Sequence, residues 1–182
     1  VSNPAPAAPA LRPRSGRVDE IVAAARTVLD AEGAEAVSMR RIAADLGLRA
    51  PSLYKHVDGK AAIDRLLAED GLVAMGGALH AAVARPGRRG PVAAVATAYR
   101  AEGLAAPNLY RLVTGATFPR AALSPGLEDW AGAPFFLATG DPHRAQAFWA
   151  WAHGMVSLEI DDRFLPGSDL DRTWRAGARA FG

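Results

Sequence analysis

From Ser15 onward the chain is written in a helical period, with apolar residues three and four apart rather than alternating. Val18, Ile21, Val22, Ala25, Val28 and Leu29 mark one face of a first helix, with Ser15 placed as its N-cap and Gly33 as its stop. Ser38 caps a shorter second helix, with Ile42, Ala43 and Leu46 on its inner side, that ends at Gly47. A third opens at Ala50 and Pro51, where a first-turn proline removes no helical hydrogen bond, and runs to Asp58-Gly59. From Lys60 a longer helix carries Ile63, Leu66, Leu67, Val73, Leu79 and Val83 as far as Arg85-Pro86-Gly87. Gly71, Gly76 and Gly77 mark it for bending or close helix contact. Pro91 opens a fifth helix, with Val92, Val95, Ala96 and Tyr99 inward, and Pro107 a short sixth. Between Thr114 and Gly140 the pattern fades, and Pro119, Pro125 and Pro134 limit any helix. Asp141-Pro142 begins a strong helix through Ile160, and Asp169 to Phe181 form the last. With no alternating strand and no internal repeat, the expected fold is all-α. Its expected divisions are an Ala/Pro-rich flexible arm over residues 1–15, a small three-helix domain over 16–62 and a helical body over 63–182.

Composition narrows this reading. Half of the 182 residues are apolar and 22% are charged, enough for a substantial core in one or two domains. No stretch approaches the roughly 18 consecutive uncharged apolar residues needed to span a bilayer. The start also lacks the basic-then-apolar layout of a signal peptide. A soluble cytoplasmic protein without a membrane partner is therefore expected. The absence of cysteine excludes disulfide scaffolds, Cys-ligated zinc, iron–sulfur clusters and thiol catalysis.

Charge matters more by position than by sum. The formal net charge is only +2, although the pI is about 9.4, because nearly all the cations are arginines. Arg40, Arg41, Arg49, Lys55 and Lys60 face only Asp45 and Asp58 in their stretch. From Ser124 to Asp171, Arg144 and Arg163 stand against Glu128, Asp129, Asp141, Glu159, Asp161, Asp162, Asp169 and Asp171. A cationic front and an anionic back predict that only the front meets a polyanion.

That front has the layout of a helix-turn-helix. Ala43 is the small residue two steeply crossing helices need at their approach, and Gly47 tolerates the positive φ of the corner. Ile42, Leu46, Leu48, Leu53 and Val57 are spaced to close a small core beneath the pair. The outward residues of the third helix, Arg49, Ser52, Tyr54, Lys55 and His56, are donors or aromatics, and no carboxylate lies between Gly47 and Val57. An ordinary solvated helix would mix both signs of charge, so this face suits the DNA major groove. A structural role in the core or at a helix cap is the alternative for His56.

Positions 46 to 60 read Leu-Gly-Leu-Arg-Ala-Pro-Ser-Leu-Tyr-Lys-His-Val-Asp-Gly-Lys. This resembles the signature of the TetR/AcrR family of bacterial transcriptional regulators, and the similarity runs from about Arg17 to Leu67. The resemblance implies that Arg40, Ala50, Pro51, Ser52, Tyr54, Lys55 and His56 face double-stranded operator DNA and that Lys60 holds a phosphate. The chemistry agrees: arginine binds a guanine edge bidentately, Ala50 and Pro51 can rest on a thymine methyl, and Tyr54 and Lys60 suit the backbone. Lys60 also opens a helix, where free N–H groups favour an anion.

The stretch Phe148-Trp149-Ala150-Trp151-Ala152-His153-Gly154-Met155-Val156-Ser157-Leu158-Glu159 is similar to a Trp-x-His-Gly pattern of a TetR C-terminal subgroup. That helix is apolar on two sides, one bearing Trp149, His153, Val156 and Ile160, the other Phe148, Trp151, Met155 and Leu158, and it should be buried between layers. One side can face its own domain and the other a second copy. Two recognition helices one DNA turn apart, about 34–36 Å, require a twofold homodimer. Its expected seam uses Trp151, Gly154, Met155 and Leu158, with Trp174 and Phe181 covering the end. The resemblance also implies a small-molecule pocket, here placed among Tyr99, Tyr110, Phe118, Trp130, Phe135, Trp149 and His153. Aromatic walls with few polar handles favour a flat, largely apolar effector, and no Lys/Arg cluster awaits a phosphate.

The rivals are weaker. For an enzyme, His56, His80, His143 and His153 are dispersed without metal-site spacing, and no Gly-rich phosphate loop follows a strand. Asp161-Asp162 is read as a solvated turn, so no catalytic residue, metal or cofactor is expected. A helical interaction module without DNA binding would not need a donor-only third helix. The expected function is a sequence-specific regulator, a repressor released from a pseudo-palindromic operator by a small ligand.

Overall fold

A computed structural model describes residues 6–115 and 118–182 of the chain. Among them, nine α-helices and two short 3-10 turns are found and no strand. The helices are α1 (Gly16–Glu32), α2 (Met39–Asp45), α3 (Ala50–Leu53), α4 (Gly59–Ala84), α5 (Pro91–Ala105), α6 (Pro107–Thr114), α7 (Leu127–Thr139), α8 (Pro142–Ile160) and α9 (Leu170–Ala178). The caps expected at Ser15 and Ser38 form, and Asp141 and Asp169 cap the helices expected to begin there. The side chains of Ser15, Ser38, Asp141 and Asp169 accept from the backbone N–H of Val18, Arg41, Arg144 and Arg172 respectively.

Two elements depart from expectation. α3 is one turn long, because the chain goes into tight turns after Leu53, and Val57 N–H bonds back to the Leu53 carbonyl. α7 forms where three prolines had argued against a helix. Pro119 and Pro125 lie outside it, while Pro134 sits inside.

Among the described residues the chain forms two compact units, one of residues 9–72, 106–115 and 118–127, the other of 6–8, 73–105 and 128–182. These boundaries differ from the expected division at 62/63, because Ile63, Leu66 and Leu67 of α4 complete the core of Ile21, Leu29, Ile42 and Leu53 in the first unit. α6 joins the same unit. Its Leu109 packs against Gly71 so closely that a Cβ there would lie 3.0 Å from a Leu109 methyl, and Asn108 Nδ2 donates to the Asp30 carbonyl at 3.1 Å.

The expected flexible arm has residues 1–5 outside the described residues. Residues 6–15 have no helix, but they are anchored rather than loose: Arg14 bonds both Asp70 oxygens at 3.0 Å, and Arg12 donates to the Ala122 carbonyl. A buried carboxylate fastens the segment before α7. Glu69, 1% exposed, accepts from the Ser124 backbone N–H and hydroxyl, both at 2.8 Å, and from Arg65 at 2.9 Å.

In the second unit α5 packs on α8 and α9. The core is aromatic: Tyr99, Phe135 and Phe148 meet edge to face, and Phe148 stacks on Trp151 and Phe181. Among the described residues α4 alone is long and apolar enough to cross a membrane by length and composition. It is a core helix here, however, holding both Glu69 and His80 buried among its apolar neighbours.

Candidate nucleic-acid interface

The corner of the motif is built by backbone geometry. Gly47 has φ of +66°, the Leu48 N–H donates to the Ala43 carbonyl at 2.7 Å, and Ala43 is buried where α2 and α3 meet. Ile42, Leu53 and Val57 are buried beneath, which turns the rest of the segment outward. Arg40, Arg49, Pro51, Tyr54, Lys55 and His56 are exposed, and Ala50 and Ser52 half-buried, so the nucleic-acid candidates share one accessible surface around α3. Tyr54, 57% exposed, lies with its ring edge over Gly59, which has φ of +77° and opens α4.

The cations of this surface fall into two classes. The side chains of Arg40, Arg49, Lys55 and His56 make no hydrogen bond or ion pair among the described residues. Lys60 instead bonds both oxygens of Asp64, at 2.8 and 2.9 Å. Arg41 is likewise held, by Asp45 and Glu32, and its hydrogen bond keeps the Glu32 carboxyl below the usual range. A phosphate contact from Lys60 therefore exchanges an internal pair, whereas Arg49 and Lys55 give up only water.

The predicted effector residues are distributed differently from expectation. Tyr99 and Phe135 are buried against each other in the second unit, whereas Tyr110 is buried in the first. Phe118 lines a cleft of about 370 Å³ in that first unit, beside Ala34, Asn108 and Leu112. Trp149 is 45% exposed and stacks on His153, four residues on, where partial burial holds the imidazole below its usual pKa.

The seam candidates divide between the unit's own core and its surface. The inward face of α8 is Ala145, Phe148, Ala152, Met155 and Val156, so it draws on both predicted stripes. Met155 and Trp174 are buried within their own unit, and Trp151 packs on Phe148, Trp174 and Gly177, where a Cβ would overlap its ring. Phe181 stacks on Phe148. Leu158 remains 45% exposed, and Gly154 has open space around it.

Sequence reasoning gave no role to Glu69, His80 or Arg100. Arg100 donates to Glu159 at 2.5–3.1 Å and to Asp171 at 2.6 Å, and Trp174 Nε1 donates to Glu159 at 2.9 Å. The available signal was a polar residue interrupting an otherwise apolar helix.

Known proteins agree with this geometry. Residues 21–72 match the family model of bacterial regulatory proteins of the tetR family, and residues 92–181 the tetracyclin repressor-like C-terminal domain. The HTH-type transcriptional regulator Rv0681 of Mycobacterium tuberculosis is 30% identical over 82% of this chain and 78% of its own length. The chain belongs to the TetR family. As a TetR-family protein it is a DNA-binding transcriptional regulator with a helix-turn-helix. The HTH-type transcriptional repressor DrrR1 of Streptomyces coeruleorubidus is 54% identical over 43 residues, 24% of this chain and 16% of DrrR1. The solved regulatory protein SCO4313 has the same fold, with a TM-score of 0.74 at 24% identity, covering 93% of this chain and 98% of its own. A TetR variant from Acinetobacter baumannii AYE in complex with minocycline has a TM-score of 0.59 at 22% identity, covering 88% and 91%.

Proposed function

We propose that this TetR-family chain is a homodimeric repressor that reads a pseudo-palindromic operator with α3 and leaves it when a small, largely apolar molecule binds. The observation that carries the DNA part is the α3 surface, where Arg49, Lys55 and His56 are exposed without internal partners and no carboxylate is interposed. Arg49 is suited to a base edge, Ala50 and Pro51 to a thymine methyl, and Tyr54 with Lys60 to phosphate at the start of α4. The repressor reading draws support from DrrR1, whose match spans 43 residues of this chain.

The dimer follows from the geometry of DNA, since half-sites one turn apart need two heads. Supporting it is the uncovered side of α8, where Gly154 leaves room for another backbone and Leu158 is exposed. The effector reading is supported by the minocycline complex of a fold relative and by the aromatic content of the second unit. Its first candidates there are Tyr99 and Phe135, which pack on each other, with Trp130 on the same helix as Phe135; Trp149, being exposed, is a weaker candidate.

Selecting bound fragments from genomic DNA gives the operator, and fluorescence anisotropy then tests the interface. Lys55→Glu should abolish specific binding while the protein stays folded; retained affinity would refute the groove assignment. Sedimentation of the unmodified protein as a folded monomer at micromolar concentration would refute the dimer.

A further inference from the structure

His80 and Pro134 stand on different helices of the second unit and solve one problem between them. Pro134 is the eighth residue of α7, beyond the first turn where proline costs no hydrogen bond. It has no N–H, so the carbonyl four residues back, that of Trp130, loses its helical donor. His80 on α4 fills the place, with Nε2 2.9 Å from the Trp130 oxygen. A carbonyl oxygen only accepts, so Nε2 carries the proton. The His80 ring is 1% exposed and stacks on the Trp130 indole with centroids 4.9 Å apart, and its Nδ1 is buried without a hydrogen-bond partner among the described residues. Trp130 is held on other sides too: its six-membered ring lies against Gly76, where a Cβ would overlap it, and Nε1 donates to the Pro6 carbonyl at 3.0 Å.

We propose that His80 is a positioning residue that splices α4 to α7 by supplying the hydrogen bond that Pro134 deletes, and that this task fixes it as the neutral Nε2–H tautomer. The other states of the ring do the task badly. An Nδ1–H tautomer sets a lone pair against the carbonyl oxygen. An imidazolium adds a buried Nδ1–H with no acceptor. An aliphatic residue at 80 leaves the Trp130 carbonyl unpaired, which explains a histidine in an otherwise apolar stripe. α4 is one unbroken helix from Gly59 to Ala84, so the joint fixes the far end of the element whose near end bears Lys60.

Two-bond ¹H–¹⁵N correlation on the labelled full chain at neutral pH reads the tautomer directly. A pyrrole-type Nε2 and a pyridine-type Nδ1 are expected for His80, and the reverse overturns the proposal. Denaturant unfolding of the full-length protein then closes a double-mutant cycle. His80→Leu should lower the midpoint, and Pro134→Ala, which returns an N–H to Trp130, should at least halve that loss. An equal loss in both backgrounds overturns the splice. If His80→Leu folds only together with Pro134→Ala, the splice is supported; if it folds in neither, the tautomer decides. The positioning role is read by operator anisotropy below the unfolding transition. A several-fold loss with His80→Leu and recovery in His80→Gln, whose amide can donate, are expected. Unchanged affinity in folded His80→Leu overturns that role. Absence of operator binding by the unmodified protein would instead strike the DNA-binding reading.

Discussion

Arg49 and Arg100 carry the same guanidinium to opposite ends. Arg49 precedes α3, exposed and without a side-chain partner. Arg100, its side chain 22% exposed, is held by Glu159 and Asp171 and lies 5.7 Å over the Trp174 ring. Hydrogen bonding to Glu159 strengthens its hold on the proton further. A guanidinium already satisfied by carboxylates has little to offer a phosphate or base, whereas one facing only water loses little on meeting either. The contrast separates a surface left open for a partner from a network that holds a unit together.

The largest effect should come from breaking the closed end of that contrast. Arg100→Ala leaves Glu159 and the Trp174 N–H in a half-buried, unbalanced site and should cost about 2–3 kcal/mol of stability. Chemical denaturation measures this, and operator affinity of the folded fraction should be unchanged. Arg49→Ala should do the reverse, weakening operator binding by about 1–3 kcal/mol and relaxing preference at one base, with stability shifted by less than about 0.5 kcal/mol. A stability loss for Arg49→Ala equal to that of Arg100→Ala would erase the distinction.

Lys60 lies between the two classes, and its behaviour sharpens them. Lys60→Ala should lower the salt slope of binding by about one unit, with an affinity loss smaller than that of Arg49→Ala because Asp64 already competes for the ammonium. Asp64→Ala should therefore tighten the operator complex a few-fold, as read by anisotropy across a salt series.

The smallest effect is that of pH. Arg100's hydrogen bond holds the Asp171 carboxyl below its usual range, and burial holds the His153 imidazole below its own. Both groups bind protons more readily in the unfolded chain. Their contributions are thus complete above the unfolded pKa values and lost as pH falls, His153 first, from about 6.5 downward, and Asp171 in the carboxylate range. His153→Gln should flatten the upper part of that stability profile in thermal unfolding, and Asp171→Asn the lower part.

What the sequence determined by itself is local. The helical period, the capping residues Ser15, Ser38, Asp141 and Asp169, and the positive-φ glycine at the helix-turn-helix corner act within a few residues, so α1, α2, α8 and the exposure of α3's donors were legible. α3 was read too long because its apolar residues continue past Leu53 although the backbone does not. α7 was missed because the donor compensating Pro134 comes from His80, 50 positions from Trp130. Only the tertiary structure decided which residues of α8 turn inward, because both stripes were apolar and packing drew on each, taking Phe148, Ala152 and Val156 and leaving Trp149 and Leu158 exposed. The same holds for which charged groups are spent internally: the Arg100 guanidinium meets Asp171 across 71 positions and the Glu69 carboxylate meets Ser124 across 55. A charge in a sequence is defined by its residue type, but whether it is free to bind depends on what the fold brings within 3 Å of it.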